Sequence, residues 1–237
     1  DGDGAIHIKS AEDLRSLAHS CTLDSWSRGK TVVLDNDIEL TDDDELPIPT
    51  FGGTFNGNGH TISGLSITQS VSPAGLFGVL QKDAVITELN VEGTVSPSGD
   101  SESVGGIVGE NYGAIEQSTF NGSVSGKRSV GGVVGRSSGQ ILACSNEGAV
   151  CGRKDVGGIA GIVSDDSFVI NCYSTVEKIT ANSSYASVVG YSKKGNLQNI
   201  YGNSACPSKS AANSAVGSDK AAGTVWKKTT FALLSLD

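Results

Sequence analysis

Methionine is absent from this 237-residue chain, position 1 included, so the sequence reads as a segment excised from a longer protein. Aromatics are scarce, with 2 Trp, 5 Tyr and 6 Phe, which argues against a core filled by large rings. No stretch approaches the ~18 apolar residues that a membrane span needs. The longest apolar cluster is Phe231-Ala-Leu-Leu234, so any signal peptide or anchor is expected outside this segment. Positive charge is short as well: 17 Lys and Arg against 26 Asp and Glu leave a net charge of −9. Such a surface repels phosphate backbones, and no nucleic-acid partner is expected. Five cysteines, at positions 21, 144, 151, 172 and 206, lack metal-ligand spacing and cannot all pair within one chain. Only three histidines occur, His7, His19 and His60, far apart in sequence and read as structural or surface groups. No Gly-x-Ser-x-Gly elbow is present. Neither a cofactor nor a metal centre is expected.

Glycine is what the chain has in excess: 32 residues, about twice the ordinary share of roughly 7%. Much of it recurs at a fixed period. Val104-Gly-Gly-Ile-Val-Gly109, Val130-Gly-Gly-Val-Val-Gly135 and Val156-Gly-Gly-Ile-Ala-Gly161 follow one another at intervals of 26 residues. Looser copies, Ala74-Gly-Leu-Phe-Gly78 and Ala186-Ser-Val-Val-Gly190, extend the series to five units at intervals of 31 and 29 residues. Each unit has a second half in which Ile86, Ile115, Ile141, Val169 and Leu197 share one apolar column. Leu89, Ser118, Cys144, Cys172 and Ile200 form a small or apolar column three residues later, and the column between, Glu88, Gln117, Ala143, Asn171 and Asn199, is mostly polar.

A 26-residue period with short β-rich runs is too short for propeller blades and wrongly patterned for helical repeats. It suits a coil of two or three short strands, stacked into a parallel β-solenoid with equivalent residues ~4.8 Å apart. The fold class is therefore all-β, with residues 1–50 as N-terminal cap and lead-in strands. Residues 51–205 form the glycine-rich repeats and 206–237 a C-terminal cap or truncated edge, all in one domain. The glycine pairs Gly105-Gly106, Gly131-Gly132 and Gly157-Gly158 are expected at coil corners, through positive φ or close backbone approach. Ser103, Ser129 and Asp155, just before the motif, vary among the copies and read as free positions. Ser10 to His19 reads as a short helix with Ser10 as N-cap and Leu14, Leu17 and Ala18 on one face, covering the open end of the solenoid. Thr31–Leu34 and Ile38–Leu40 read as strands, and Phe51 to Ile62 as two strands about a tight Asn-Gly turn.

These residues resemble the GLUG-motif repeat family of bacterial secreted and cell-surface proteins. The resemblance rests on Gly75-Leu-Phe-Gly78, the three Val-Gly-Gly-x-x-Gly copies and the lead-in Phe51-Gly-Gly-Thr-Phe-Asn-Gly-Asn-Gly-His-Thr-Ile-Ser-Gly-Leu65. Ile8-Lys-Ser-Ala-Glu-Asp-Leu14 and Leu34-Asp-Asn-Asp-Ile-Glu-Leu40 are similar to the family's usual N-terminal segment, so the likeness spans roughly residues 5–205. It implies a right-handed parallel β-helix in adhesins and in non-catalytic regions of IgA-cleaving metallopeptidases, without catalytic residues of its own. The His-Glu-x-x-His signature of the peptidases is absent, and the fifth copy departs from the motif with Ala186-Ser187 in place of the glycine pair.

Two function classes follow. The first is a structural or adhesive module of an exported surface protein, monomeric within a larger chain, whose rod binds glycan or host surface protein. The second is a carbohydrate-active enzyme on the same scaffold, which needs two carboxyls ~5–9.5 Å apart. Glu92, Asn121 and Glu147 share a column, so the two acids stand in alternate coils with Asn between them. Tyr173 and Tyr201 share another and are expected to face outward together as a platform for sugar rings. Asp1-Gly-Asp-Gly4, Asp42-Asp-Asp-Glu45 and Asp165-Asp166 read as solvated acids rather than calcium sites. Cys144 and Cys172 read as buried and reduced, since stacked parallel Cβ vectors fit disulfide geometry poorly, and Cys151 as outward-facing.

Overall fold

The computed structural model describes residues 4–41, 47–192, 194–203 and 206. The acidic loop around Asp42–Glu45, the residues Asp1 to Asp3 and the expected C-terminal cap beyond Cys206 lie outside the described residues. Those described form a parallel β-solenoid of about seven turns with one short N-terminal helix. Each coil contributes to four sheets rather than the two or three strands expected. In the coil that begins at Glu102 the four strands are Glu102–Gly105, Val108–Asn111, Ala114–Glu116 and Thr119–Ser125. Their equivalents stack into a four-stranded sheet, a six-stranded sheet and two eight-stranded sheets. Every pairing is parallel, and the repeat spacing is the register itself: Val104 lies on Val130 and Val130 on Val156.

Sequence accounts for the core column by column. Ile86, Ile115, Ile141 and Val169 stack in register and are fully buried. Val108, Val134, Ala160 and Val189 do the same on the six-stranded sheet. The scarce aromatics gather in the early coils, where Phe51, Phe55 and Phe77 meet edge to face at centroid distances of 5.2–6.0 Å. Small β-branched residues fill the later coils, as expected where identical columns repeat every ~4.8 Å.

The helix runs Ala11–Ser20, with the Ser10 hydroxyl accepting the Asp13 N–H and with Leu14, Leu17 and Ala18 buried. It packs against Ile6–Ile8 and Ile48–Phe51, the first strands of their sheets. The stretch from Phe51 to Ile62 is not a hairpin. Thr54–Asn56 pairs with Thr31–Leu34 and Val85–Thr87, whereas Thr61–Ile67 pairs with Ile38–Glu39 and Asn90–Val95. Asn58 and Gly59, both at positive φ, turn the coil between two different sheets. A local Asn-Gly signal specifies the turn, but stacking on neighbouring coils decides where the flanking strands go.

The corners differ most from the sequence reading. None of the six paired motif glycines has positive φ. The left-handed residues are Ser103, Ser129, Asp155 and Ser184, at φ 56, 54, 57 and 51°, so these are not free positions. Ser129 is wholly buried besides. A second left-handed column is the polar one, Glu88, Gln117, Ala143, Asn171 and Asn199, at φ 48–55°. Within it Asn199 donates to the Asn171 side-chain oxygen at 2.9 Å, a one-step amide ladder.

The motif glycines are needed for a different reason: their missing side chains point at the next coil. A Cβ on Gly105 would lie 2.7 Å from Gly135 N and 2.8 Å from Val133 O, and one on Gly131 would lie 2.7 Å from Ile159 O. A Cβ on Gly132 would fall on the Asn146 carboxamide and on Gly158 O. The same reasoning explains Ala186-Ser187. Gly157 registers with Ala186, and Ser183–Ala186 and Val189–Ser192 are the last described strands of their sheets. Among the described residues no further strand of those sheets lies beyond them, and Ser187 is accommodated against Gly202, which has no side chain to meet it.

Candidate functional site

The solenoid displays outward columns, and the candidate ligand-facing residues belong to two of them. Glu92 pairs with Asn121, and Glu147 follows one coil on, its N–H bonded to Phe120 O. Both glutamates are exposed. The interposed Asn121 keeps them two ladder steps apart, roughly 9.6 Å at the strand spacing. Across all described strand pairs no carboxylate faces another carboxylate in an adjacent coil; Glu102 meets Arg128 and Glu110 meets Arg136. Among the described residues no group of three or more His, Cys, Asp or Glu could hold a metal ion.

The tyrosine column needs correction. Tyr173 and Tyr201 are neighbours across a parallel bridge, but Tyr173 is only 6% exposed. Its hydroxyl donates to Glu147 Oε1 at 3.2 Å, and burial raises its pKa. Of the pair, only Tyr201 keeps appreciable exposure. Tyr173 is therefore the base of a layer that ties Glu147 down, not half of an open platform.

Two of the three histidines are paired with acids from neighbouring coils. His7 Nδ1 lies 2.8 Å from Asp35 Oδ1, and His60 Nδ1 lies 3.1 Å from Asp37 Oδ1. The His7 contact holds the Asp35 carboxyl below its ordinary range. For Asp37 the Thr61 N–H is the larger cause and His60 the second. Cys144 and Cys172 are free, fully buried and stacked, with sulfurs directed at Leu142 O and Ile170 O at 3.3 Å each. Burial drives the Cys144 thiol well above its usual pKa. Cys151, paired with Ser125, is exposed.

Two concavities were not foreseen from the columns. One of about 540 Å³ is lined by Val79, Gln81, Lys82, Asp83, Tyr112 and Arg28. The other, of about 460 Å³, is lined by Ile162, Ser164, Asp165, Asp166, Tyr191 and neighbours. Both lie where the chain passes from the six-stranded to the first eight-stranded sheet. There the links after Leu80 and Val163 are longer than those after Asn111 and Ser137. In each case the next coil supplies a tyrosine, Tyr112 or Tyr191. The signal was available in the unequal intervals of 31 and 29 residues, since part of each excess falls at these links.

The GLUG motif matches residues 100–125, one coil of the stack. Halomucin of Haloquadratum walsbyi is 33% identical over 137 residues, 52% of this chain but 2% of halomucin. A glycine-rich membrane protein, provisionally so named, of Evansella cellulosilytica is 35% identical over 68 residues, 28% of this chain and 8% of that protein. The chain thus matches only a small part of these relatives' length. A solved structure from Bacteroides ovatus, provisionally assigned as an immunoglobulin A1 protease, superposes with a TM-score of 0.58 at 19% identity. The match covers 94% of this chain and 84% of that one, and at this identity it speaks to the fold alone. The chain thus carries a GLUG motif on one coil of a parallel β-solenoid, and the coils that follow repeat its 26-residue register and its glycine contacts.

Proposed function

We propose that the chain is a non-catalytic repeat module of an exported surface protein, a rigid rod whose outer columns bind glycan or host surface protein. The observation that carries this reading is the parallel register from coil to coil, which displays side chains in columns while, among the described residues, placing no carboxylate opposite another. Glycoside hydrolysis needs a close pair of carboxyls, and Glu92 and Glu147 are separated by Asn121 with Glu147 held by Tyr173. The GLUG match, and relatives named as halomucin and as a glycine-rich membrane protein, support a place within a larger surface protein. A solenoid suits that role because each coil rests only on its neighbours, so length can grow without a larger core. Tyr201, Glu92, Glu147 and the two tyrosine-walled concavities are the proposed contact positions.

The test is retention of the immobilised chain on a panel of neutral and acidic glycans and extracellular matrix proteins. Saturable binding to at least one class is expected. Absence of binding across the whole panel would overturn the adhesive reading.

A further inference from the structure

In a chain of net charge −9, two adjacent coils stack cation on cation. Arg128 registers with Lys154, and beside them the Arg153 N–H bonds to Lys127 O at 3.0 Å. The four residues form a two-by-two patch on the outer edge of the four-stranded sheet. Like charges directly opposite one another on a ladder destabilise it, so the arrangement works against the stack that carries it.

The coil before the patch shows how such cations are satisfied. Lys127 Nζ lies 2.6 Å from Asp100 Oδ2, and Arg128 Nη1 lies 3.8 Å from Glu102 Oε1. The Lys127 ammonium holds the Asp100 carboxyl below its ordinary range. Acids in one coil thus face bases in the next. The sequence then repeats the bases one coil further, as Arg153 and Lys154, without repeating the acids beyond them. The following coil offers Asn182 and Ser183 at those positions. Arg153 and Lys154 are exposed and, among the described residues, have no carboxylate within ion-pair distance.

We propose that Arg153 and Lys154, backed by Lys127 and Arg128, bind paired carboxylate or sulfate groups of an acidic polysaccharide. The ligand's anions occupy the place one coil on that Asp100 and Glu102 fill for the preceding pair. The arginine fork accepts a planar or tetrahedral oxyanion through two N–H groups, and the lysine acts as a point charge beside it. A glycan is favoured over nucleic acid because duplex DNA carries a charge every ~1.7 Å. Most of that charge would lie over the surrounding acidic surface, whereas a sparsely charged glycan places its anions on the patch alone. This inference rests on the adhesive reading and names its ligand class.

The test measures binding of the full chain to chondroitin sulfate, polygalacturonate, neutral dextran and a duplex DNA at two salt concentrations. The parent should retain chondroitin sulfate or polygalacturonate at low salt, with affinity falling as salt rises. Arg153→Ala/Lys154→Ala should weaken that binding at least tenfold. Lys9→Ala/Lys30→Ala, which removes the same charge from the first coils, should change it less than twofold. Equal losses in both double variants would overturn the patch, as would DNA binding tighter than that of either acidic glycan. Salt-sensitive dimerisation of the parent, abolished by the Arg153/Lys154 variant, would also overturn it by assigning the patch to a second copy of the chain. Retention of neutral dextran with no loss in the variant would leave the adhesive reading standing while this inference fell.

Discussion

Gly132 lies directly against Asn146: a Cβ on Gly132 would occupy the space of the Asn146 carboxamide while pressing on Gly158 O. That carboxamide is buried and closes its own turn, donating to Gly148 O at 3.0 Å and accepting the Gly148 N–H at 2.9 Å. Gly132→Ala should therefore cost about 1–3 kcal/mol, the usual penalty for overpacking, and Gly132→Val more. Urea denaturation checks this; a midpoint unchanged from the parent would refute the close-approach account of the motif.

Ser129 provides an independent test of the corner. It is wholly buried at φ 54°, and its hydroxyl has no hydrogen-bond partner among the described residues. Ser129→Val keeps the left-handed strain that serine already bears and adds a β-branched group, disfavoured at positive φ, in a wholly buried site, so it should cost about 1–3 kcal/mol. Ser129→Gly relieves that strain and gives up no hydrogen bond, so it should lie much closer to the parent. Equal midpoints for the two variants would contradict the assignment of strain to φ.

Thiol accessibility follows from burial. Cys21, Cys144, Cys172 and Cys206 are buried and Cys151 is exposed. Burial also raises the Cys21 pKa to about 11, which further suppresses its thiolate. A thiol reagent at pH 8 should modify one cysteine per native chain rapidly and the other four only on unfolding. Rapid modification of Cys144 or Cys172 would contradict the stacked, enclosed column.

Asp155 sets a pH dependence. Burial raises its carboxyl above the ordinary value despite Lys154, Arg128 and Arg136 nearby. A raised folded-state pKa in an acid means that ionisation costs stability above it, and that this cost disappears as pH falls through it towards the unfolded value of about 3.9. Asp155→Asn, whose side chain tolerates left-handed backbone, should raise the urea midpoint at pH 7. The advantage should shrink on acidification and vanish near pH 4. A lower midpoint at pH 7 would show that the carboxylate is stabilised by its cationic neighbours.

The columns were legible because a solenoid writes its register into the repeat. Val104, Val130 and Val156 stand 26 residues apart and touch. Corner conformation was not legible, since Ser103, Ser129 and Asp155 share a backbone angle that no single side chain advertises. The glycines that do advertise themselves serve contact between coils instead. Tyr173 was misplaced because an alternating strand pattern gives direction but not cover, and the cover comes from the neighbouring coils and Glu147. The cation patch was readable in principle, as Lys127-Arg128 and Arg153-Lys154 are one repeat apart. Pattern reading for apolar and acidic columns passed over it.

The most direct test of a non-catalytic binding rod is the count of new chain ends after prolonged incubation of the protein with uronate and neutral polysaccharides. The account predicts no increase in reducing or unsaturated ends over a protein-free control, under conditions where the parent still binds. Sustained release of oligosaccharides, lost on Glu92→Gln or Glu147→Gln, would contradict it and assign the outer acid column to catalysis.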